Sequence, residues 1–199
     1  MALKRFPLNL NRLDWNSTKK VSYDVASQWS GSRLKTFTMQ TTPVVSITTK
    51  YARLTDDEAR QLLGFVISVK GASEPFLWRD PEDYFAKGLK GNYTDDMSWV
   101  LDDSELLAAG AMAIDKATVY VNGKTLPNTA FSTTGKTIII KDGAKLPDGG
   151  DITRYSTVTA DVLYSWVVHF KEDSFSVEKE YLNFNRSKEF TLESWVGVV

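Results

Sequence analysis

The chain has no cysteine and one histidine, and no apolar run in its 199 residues approaches the roughly 18 to 20 residues of a membrane span. Without cysteine there is no disulfide framework, thiolate metal centre or thiol nucleophile, and the composition suits a reducing compartment. The lone His169 leaves one candidate general base. It falls in an alternating pattern opposite Trp166 and Phe170, and the sequence announces no partner for it, so it reads as an ordinary strand histidine. The opening residues, MALKRFPLNLNRL, lack the apolar core and small-residue cleavage site of a secretory signal, which predicts a soluble protein. No phosphate loop, nucleophile elbow or dinucleotide fingerprint occurs, so neither a catalytic centre nor a cofactor is expected.

What is present is apolar and aromatic: 42% hydrophobic residues, 12% of the chain aromatic, enough for a packed core and too much for global disorder. The formal charge of -1 conceals a split. Residues 1 to 50 carry eight basic groups against two acidic ones, and the remainder is acidic by seven charges. A chain with electrically opposite parts can attract copies of itself. The plainer reading is a solvated surface of weak pairs. Lys19-Lys20 is too thin a cluster for sequence-specific nucleic-acid binding.

From Lys20 to Arg53 the pattern predicts a β-meander: Val21, Tyr23 and Val25 alternate, Leu34, Phe37 and Met39 follow a turn at Ser30-Gly31-Ser32, and Val44 to Thr49 completes it. Thr55 with Glu58 three residues on predicts a capped helix whose apolar stripe is Ala59, Leu62, Leu63 and Val66, ending near Gly71. Phe76 to Trp78 reads as a short strand stopped by Pro81. Residues 93–157 read as a small acidic β-module, with hairpin turns at Asn122-Gly123 and Asp142-Gly143 and a further turn and strand in LPDGGDITRY. Val162, Tyr164, Trp166, Val168 and Phe170 then define a long strand, and EFTLESWVGVV a last one reaching the chain end. The expected domains are 1–92 together with 158–199, interrupted by an insertion at 93–157.

The stretch GASEPFLWRDPEDYF, Gly71 to Phe85, concentrates Asp80, Glu82 and Asp83 beside Trp78 and Tyr84. Three near-adjacent carboxylates are compatible with a cation site, but they lack the glycine-punctuated spacing of a calcium loop, and Asp-Pro also opens turns. A glycosidase needs two carboxyl groups facing each other across about 5 to 9 Å, not neighbours on one turn. The Asp95-Asp96 and Asp102-Asp103 pairs read as solubilising. Trp78, Tyr84, Tyr93 and Trp99 allow a sugar-stacking platform, although such residues more often form cores or protein interfaces.

The order of motifs resembles a known family. Arg5-Phe6-Pro7, Trp29-Ser30-Gly31 leading to Arg33, a Pro43-containing strand, a helix ending at Lys70-Gly71, Phe76 to Asp83, Val119 to Gly123 and Val168 to Ser174 follow one another as in the distal tail and minor tail proteins of long-tailed phages and gene transfer agents. Where such proteins carry an arginine-rich turn, Ser68-Val69-Lys70 has one basic residue. The resemblance implies a tail-tube-like β-sandwich or barrel with one flanking helix and an inserted β-module. It implies a virion component made in the host cytoplasm, forming a ring, commonly a hexamer, that joins the tail tube protein to the tip hub protein, with the tape-measure protein and fibres as further neighbours. Arg33, Lys35, Phe76, Trp78 and Asp80 are then the candidate interface residues, with Phe76 and Trp78 packed either in the sandwich or at a subunit boundary and the carboxylates at its rim. The alternative function is a carbohydrate-binding or receptor-binding module that uses the insertion.

Overall fold

A computed structural model of the chain describes residues 3–10, 15–40 and 42–195. Arg12 and Asp14, two of the charges counted above, lie outside them, as do residues 196–199 of the expected final strand. The protein is mainly β with one α-helix and a large antiparallel sheet, as the two periodicities require. It divides into two compact units. By compactness the chain divides at Arg79 and at Trp166. The strands flanking the expected insertion pair within it, so they belong to the second unit.

Met1–Trp78 begins the first unit with β1 (Lys4–Arg5), β2 (Asn16–Ser22), β3 (Val25–Ser30), β4 (Arg33–Thr38), β5 (Val44–Lys50), α1 (Asp56–Ser68) and β6 (Phe76–Trp78). The second unit, Arg79–Trp166, holds β7 (Phe85–Tyr93), β8 (Ser98–Leu101), β9 (Met112–Val121), β10 (Lys124–Thr125), β11 (Phe131–Thr134), β12 (Thr137–Ile140) and the first nine residues of β13 (Val158–Phe170). The first unit resumes at Val167 with the end of β13, β14 (Val177–Tyr181), β15 (Phe184–Ser187) and β16 (Phe190–Ser194).

In the first unit β13, β16, β5 and β2 lie side by side, antiparallel throughout. The expected meander is corrected here. β2 pairs with β5 from Asn16↔Lys50 to Ser22↔Val44, while β3 and β4 pair only with each other. Pro43 stands immediately before β5, where its missing N–H removes no ladder bond. The core is a run of rings: Phe6 lies 5.2 Å from Phe65 and 6.0 Å from Phe76, and Phe76 lies 5.0 Å from Phe170. Residues from the N-terminal, Phe-Leu-Trp and final-strand motifs thus converge on one cluster. Thr55 and Glu58 form the expected reciprocal capping box. The buried face of α1 uses Ala59 and Leu62 and continues to Val69, whereas Leu63 turns outward, contrary to the expected stripe.

In the second unit the order is β10, β9, β13, β7, β8, β12, β11. Ile114 N–H donates to the Gly135 carbonyl at 2.8 Å, so the turn after β11 meets β9 and the sheet curls on itself. Val119, Val121, Trp99, Ile138, Val158, Ala160 and Val162 fill the inside. Asn122 and Gly123 both have positive φ, as the tight hairpin between β9 and β10 demands. Asp142-Gly143 is a turn without a following strand, and the LPDGGDITRY segment contributes only an isolated bridge, Lys145↔Asp151. The second hairpin instead turns at Gly135.

Candidate assembly surface

Beyond the β2–β5 ladder the chain continues as a ribbon. The Met39 N–H donates to the Asp24 carbonyl at 2.8 Å, and six residue pairs, Val25↔Thr38 to Ser30↔Arg33, carry it to a turn at Gly31. At about 3.3 Å per residue this arm is roughly 20 Å long. Two residues separate β2 from β3 and five separate β4 from β5.

Every residue of β3 and β4 is exposed. Trp29 is 70% exposed, Val25, Leu34 and Phe37 about half, and Met39 at the foot 72%. Opposite residues of an antiparallel pair share a face. The register therefore places Val25, Ser27, Trp29, Leu34, Thr36 and Thr38 on one side, and Ala26, Gln28, Ser30, Arg33, Lys35 and Phe37 on the other. The first side is apolar and β-branched. The second is cationic towards the tip, and neither Arg33 nor Lys35 has a carboxylate partner among the described residues. A two-stranded hairpin is marginal in water, and burying a Trp or Leu is worth about 1.5–3 kcal/mol. Both facts favour an arm that gains a covering surface.

The β14–β15 hairpin of the same unit shows what an anchored hairpin looks like. Leu54 and Asn185 exchange two backbone hydrogen bonds of 2.7 and 2.8 Å, Asn185 Nδ2 donates to Asp56 at 2.7 Å, and the Asn183 side chain accepts from the Asp56 N–H at 3.1 Å. The Asn185 and Lys179 donors hold the Asp56 carboxyl below its usual range. Among the described residues β3 and β4 have no comparable ties.

At the foot of the arm, Met39, Gln40, Thr42 and Val44 join His169, Glu193 and Trp195 around a groove of about 480 Å³. His169 Nε2 lies 4.0 Å from Glu193 and its ring meets Trp195 edge-on at 5.3 Å. Burial alone would raise the Glu193 carboxyl, but hydrogen bonds from Lys171 and Ser46 outweigh it and hold the group below its usual range.

Phe76, Trp78 and Asp80 are all buried within the chain, which for the two aromatics is the packed alternative. Phe76 lies in the aromatic cluster of the first unit. Asp80 Oδ1 accepts the Glu82 N–H at 2.9 Å, Asp83 Oδ1 accepts the Tyr164 hydroxyl at 2.5 Å, and the Asp83 carbonyl accepts Trp166 Nε1 at 3.0 Å. Asp83 is thus an anchor on β13, while Glu82 is exposed. Among the described residues no three His, Cys, Asp or Glu side chains are grouped to hold a metal. The sugar-platform reading also loses two of its four rings, because Trp78 and Trp99 are buried.

Asp103, read as solubilising, is likewise buried, accepting Lys136 Nζ at 2.8 Å and the Gly110 N–H at 2.9 Å. Sequence reasoning also missed Asp115, which accepts Arg79 at 2.6 Å and the Ser165 hydroxyl at 2.7 Å. Asp115 interrupts the alternation of β9, and that was its one visible sign. No family model matches the chain, and no curated protein matches it.

Proposed function

We propose that this protein is a structural ring component of a long-tailed phage tail tip, joining the tail tube to the tip hub and fibres, and that the β3–β4 arm clasps the next copy in the ring. One observation carries the proposal: an exposed ribbon with Val25, Trp29 and Leu34 on one face and Arg33 and Lys35 on the other, supported by no other element among the described residues. The sequence resemblance supports the same reading. An arm received by a different surface of the next subunit is a heterologous contact, which closes into a ring when the rotation permits. The basic first fifty residues and acidic remainder favour that head-to-tail arrangement over like-on-like stacking.

Native mass measurement and particle imaging of the purified protein, alone and with its tail tube protein, test this. The intact chain is expected to form rings. A variant with residues 23–43 replaced by a two-residue Asn-Gly turn is expected to remain a folded monomer, because the β2–β5 ladder retains its register. Equal ring yield without the arm would refute the clasp, and an intact protein that stays monomeric beside the tube would refute the ring.

A further inference from the structure

The second unit is acidic, with nine basic residues against thirteen acidic ones in 79–166. Four of its cations are engaged by carboxylates: Arg79 by Asp115, Lys124 by Asp148, Lys136 by Asp103 and Lys145 by Asp151. Lys90 and Arg154 have no carboxylate within ion-pairing distance among the described residues, and both line one groove of about 340 Å³.

The groove is built on rigid elements. The register places Lys90 opposite Thr159, and Asn92 follows two residues along β7. Its wall is the turn Thr153–Ser156, closed by the Ser156 N–H to the Thr153 carbonyl at 2.9 Å and the Thr153 N–H to the Ser156 hydroxyl at 3.1 Å. The next residue is strapped to the β9–β10 turn, since Thr157 N–H donates to Asn122 Oδ1 at 2.9 Å and Asn122 N–H returns a bond to the Thr157 carbonyl at 2.8 Å. Arg154 sits in that turn, its guanidinium 4.7 Å from the ring centre of Tyr155 and donating to the Tyr155 hydroxyl at 2.5 Å. Tyr93, half exposed, is held edge-on against buried Trp99 at 5.2 Å and supplies an aromatic border.

We infer that this groove, formed by Lys90, Asn92, Tyr93, Arg154, Ser156 and Thr159, binds an anionic saccharide. Hydroxyl and amide groups match sugar hydroxyls, the tyrosine border suits a sugar ring, and the two cations match acidic groups on the sugar. Nucleic acid fits less well: two cations are too few for its charge density, and the net acidity of the unit repels it. The acidic group is a carboxylate or a phosphate. This inference does not depend on the ring.

The test is calorimetric titration of the full-length protein with a uronate oligosaccharide, a sugar-phosphate oligomer and a neutral glucose oligomer of matched length. Binding to one or both acidic probes, at least tenfold tighter than to the neutral one, is expected, and the two acidic arms separate carboxylate from phosphate recognition. K90Q/R154Q is expected to weaken that binding tenfold or more with an unchanged thermal transition. R33E/K35E, which alters the arm, is expected to leave it intact. No binding to either acidic probe, equal binding to the neutral one, or full affinity in K90Q/R154Q each overturns the proposal.

Discussion

Asp83 and Asp103 show that a carboxylate's role depends on what reaches it. Both sit in acidic runs that look solvated, yet each accepts a hydrogen bond from a residue distant in sequence, Tyr164 and Lys136. Burial, followed by the hydrogen bond to Asp83, pushes the Tyr164 phenol well above its ordinary value of 10.0. The folded state thus keeps the phenol protonated where the unfolded chain ionises, so this stability is complete below about pH 10 and is lost as the pH rises. Tyr164→Phe is expected to cost roughly 1–3 kcal/mol at neutral pH and to flatten the alkaline decline, as followed by urea unfolding from pH 7 to 11. Arg33 and Lys35 are the opposite case, exposed and without partners among the described residues. Reversing both to Glu is expected to slow ring formation in low salt while shifting the thermal midpoint very little, because exposed charges contribute little to folding. Rings of unaltered yield at every ionic strength would remove electrostatics from the assembly step.

At the scale of elements, the two hairpins of the first unit differ in what holds them. β14–β15 is fastened to the start of α1, so the helix cap and the hairpin form one structure. Thr55→Ala removes the hydroxyl that accepts from the Glu58 N–H. A loss of about 1 kcal/mol is expected in chemical denaturation. The same substitution should speed amide exchange in β14 and β15. Unchanged exchange there would mean that the hairpin is held by Asn185 and Asp56 alone. The β3–β4 arm has no such support among the described residues, and its amides are expected to exchange fastest of any strand in the isolated subunit and, under the proposed assembly, to slow once rings form.

For the molecule as a whole, the position of the unit boundary makes a separate prediction. β7 pairs with β13 and with β8, so a fragment ending at 93–157 forfeits two central strands of its own sheet. Residues 79–166 expressed alone are expected to give a single cooperative thermal transition, whereas residues 93–157 are expected to give none. A sharp transition from the shorter piece would restore the narrower boundary.

The local features of the fold were legible in the sequence because they rest on short-range chemistry. Thr55 and Glu58 cap a helix over three residues, Asn122-Gly123 permits the positive φ of a tight turn, and the alternation from Val162 to Phe170 marks a strand whatever it packs against. Pairing partners were not legible. Nothing within Lys20–Arg53 says that β2 skips β3 and joins β5, because a ribbon and a meander carry the same alternation. The candidate site divides in the same way. Arg33 and Lys35 were visible as the basic end of the chain, but only register sorted the arm into an apolar and a cationic face. For Phe76 and Trp78 the sequence left core and subunit boundary open, and burial placed both, with Asp80, inside. Composition and periodicity determined a β-rich protein with opposed charge, since these depend on residue type and spacing. Tertiary structure alone decided which aromatics and carboxylates water can reach, because exposure depends on elements that meet from distant parts of the chain.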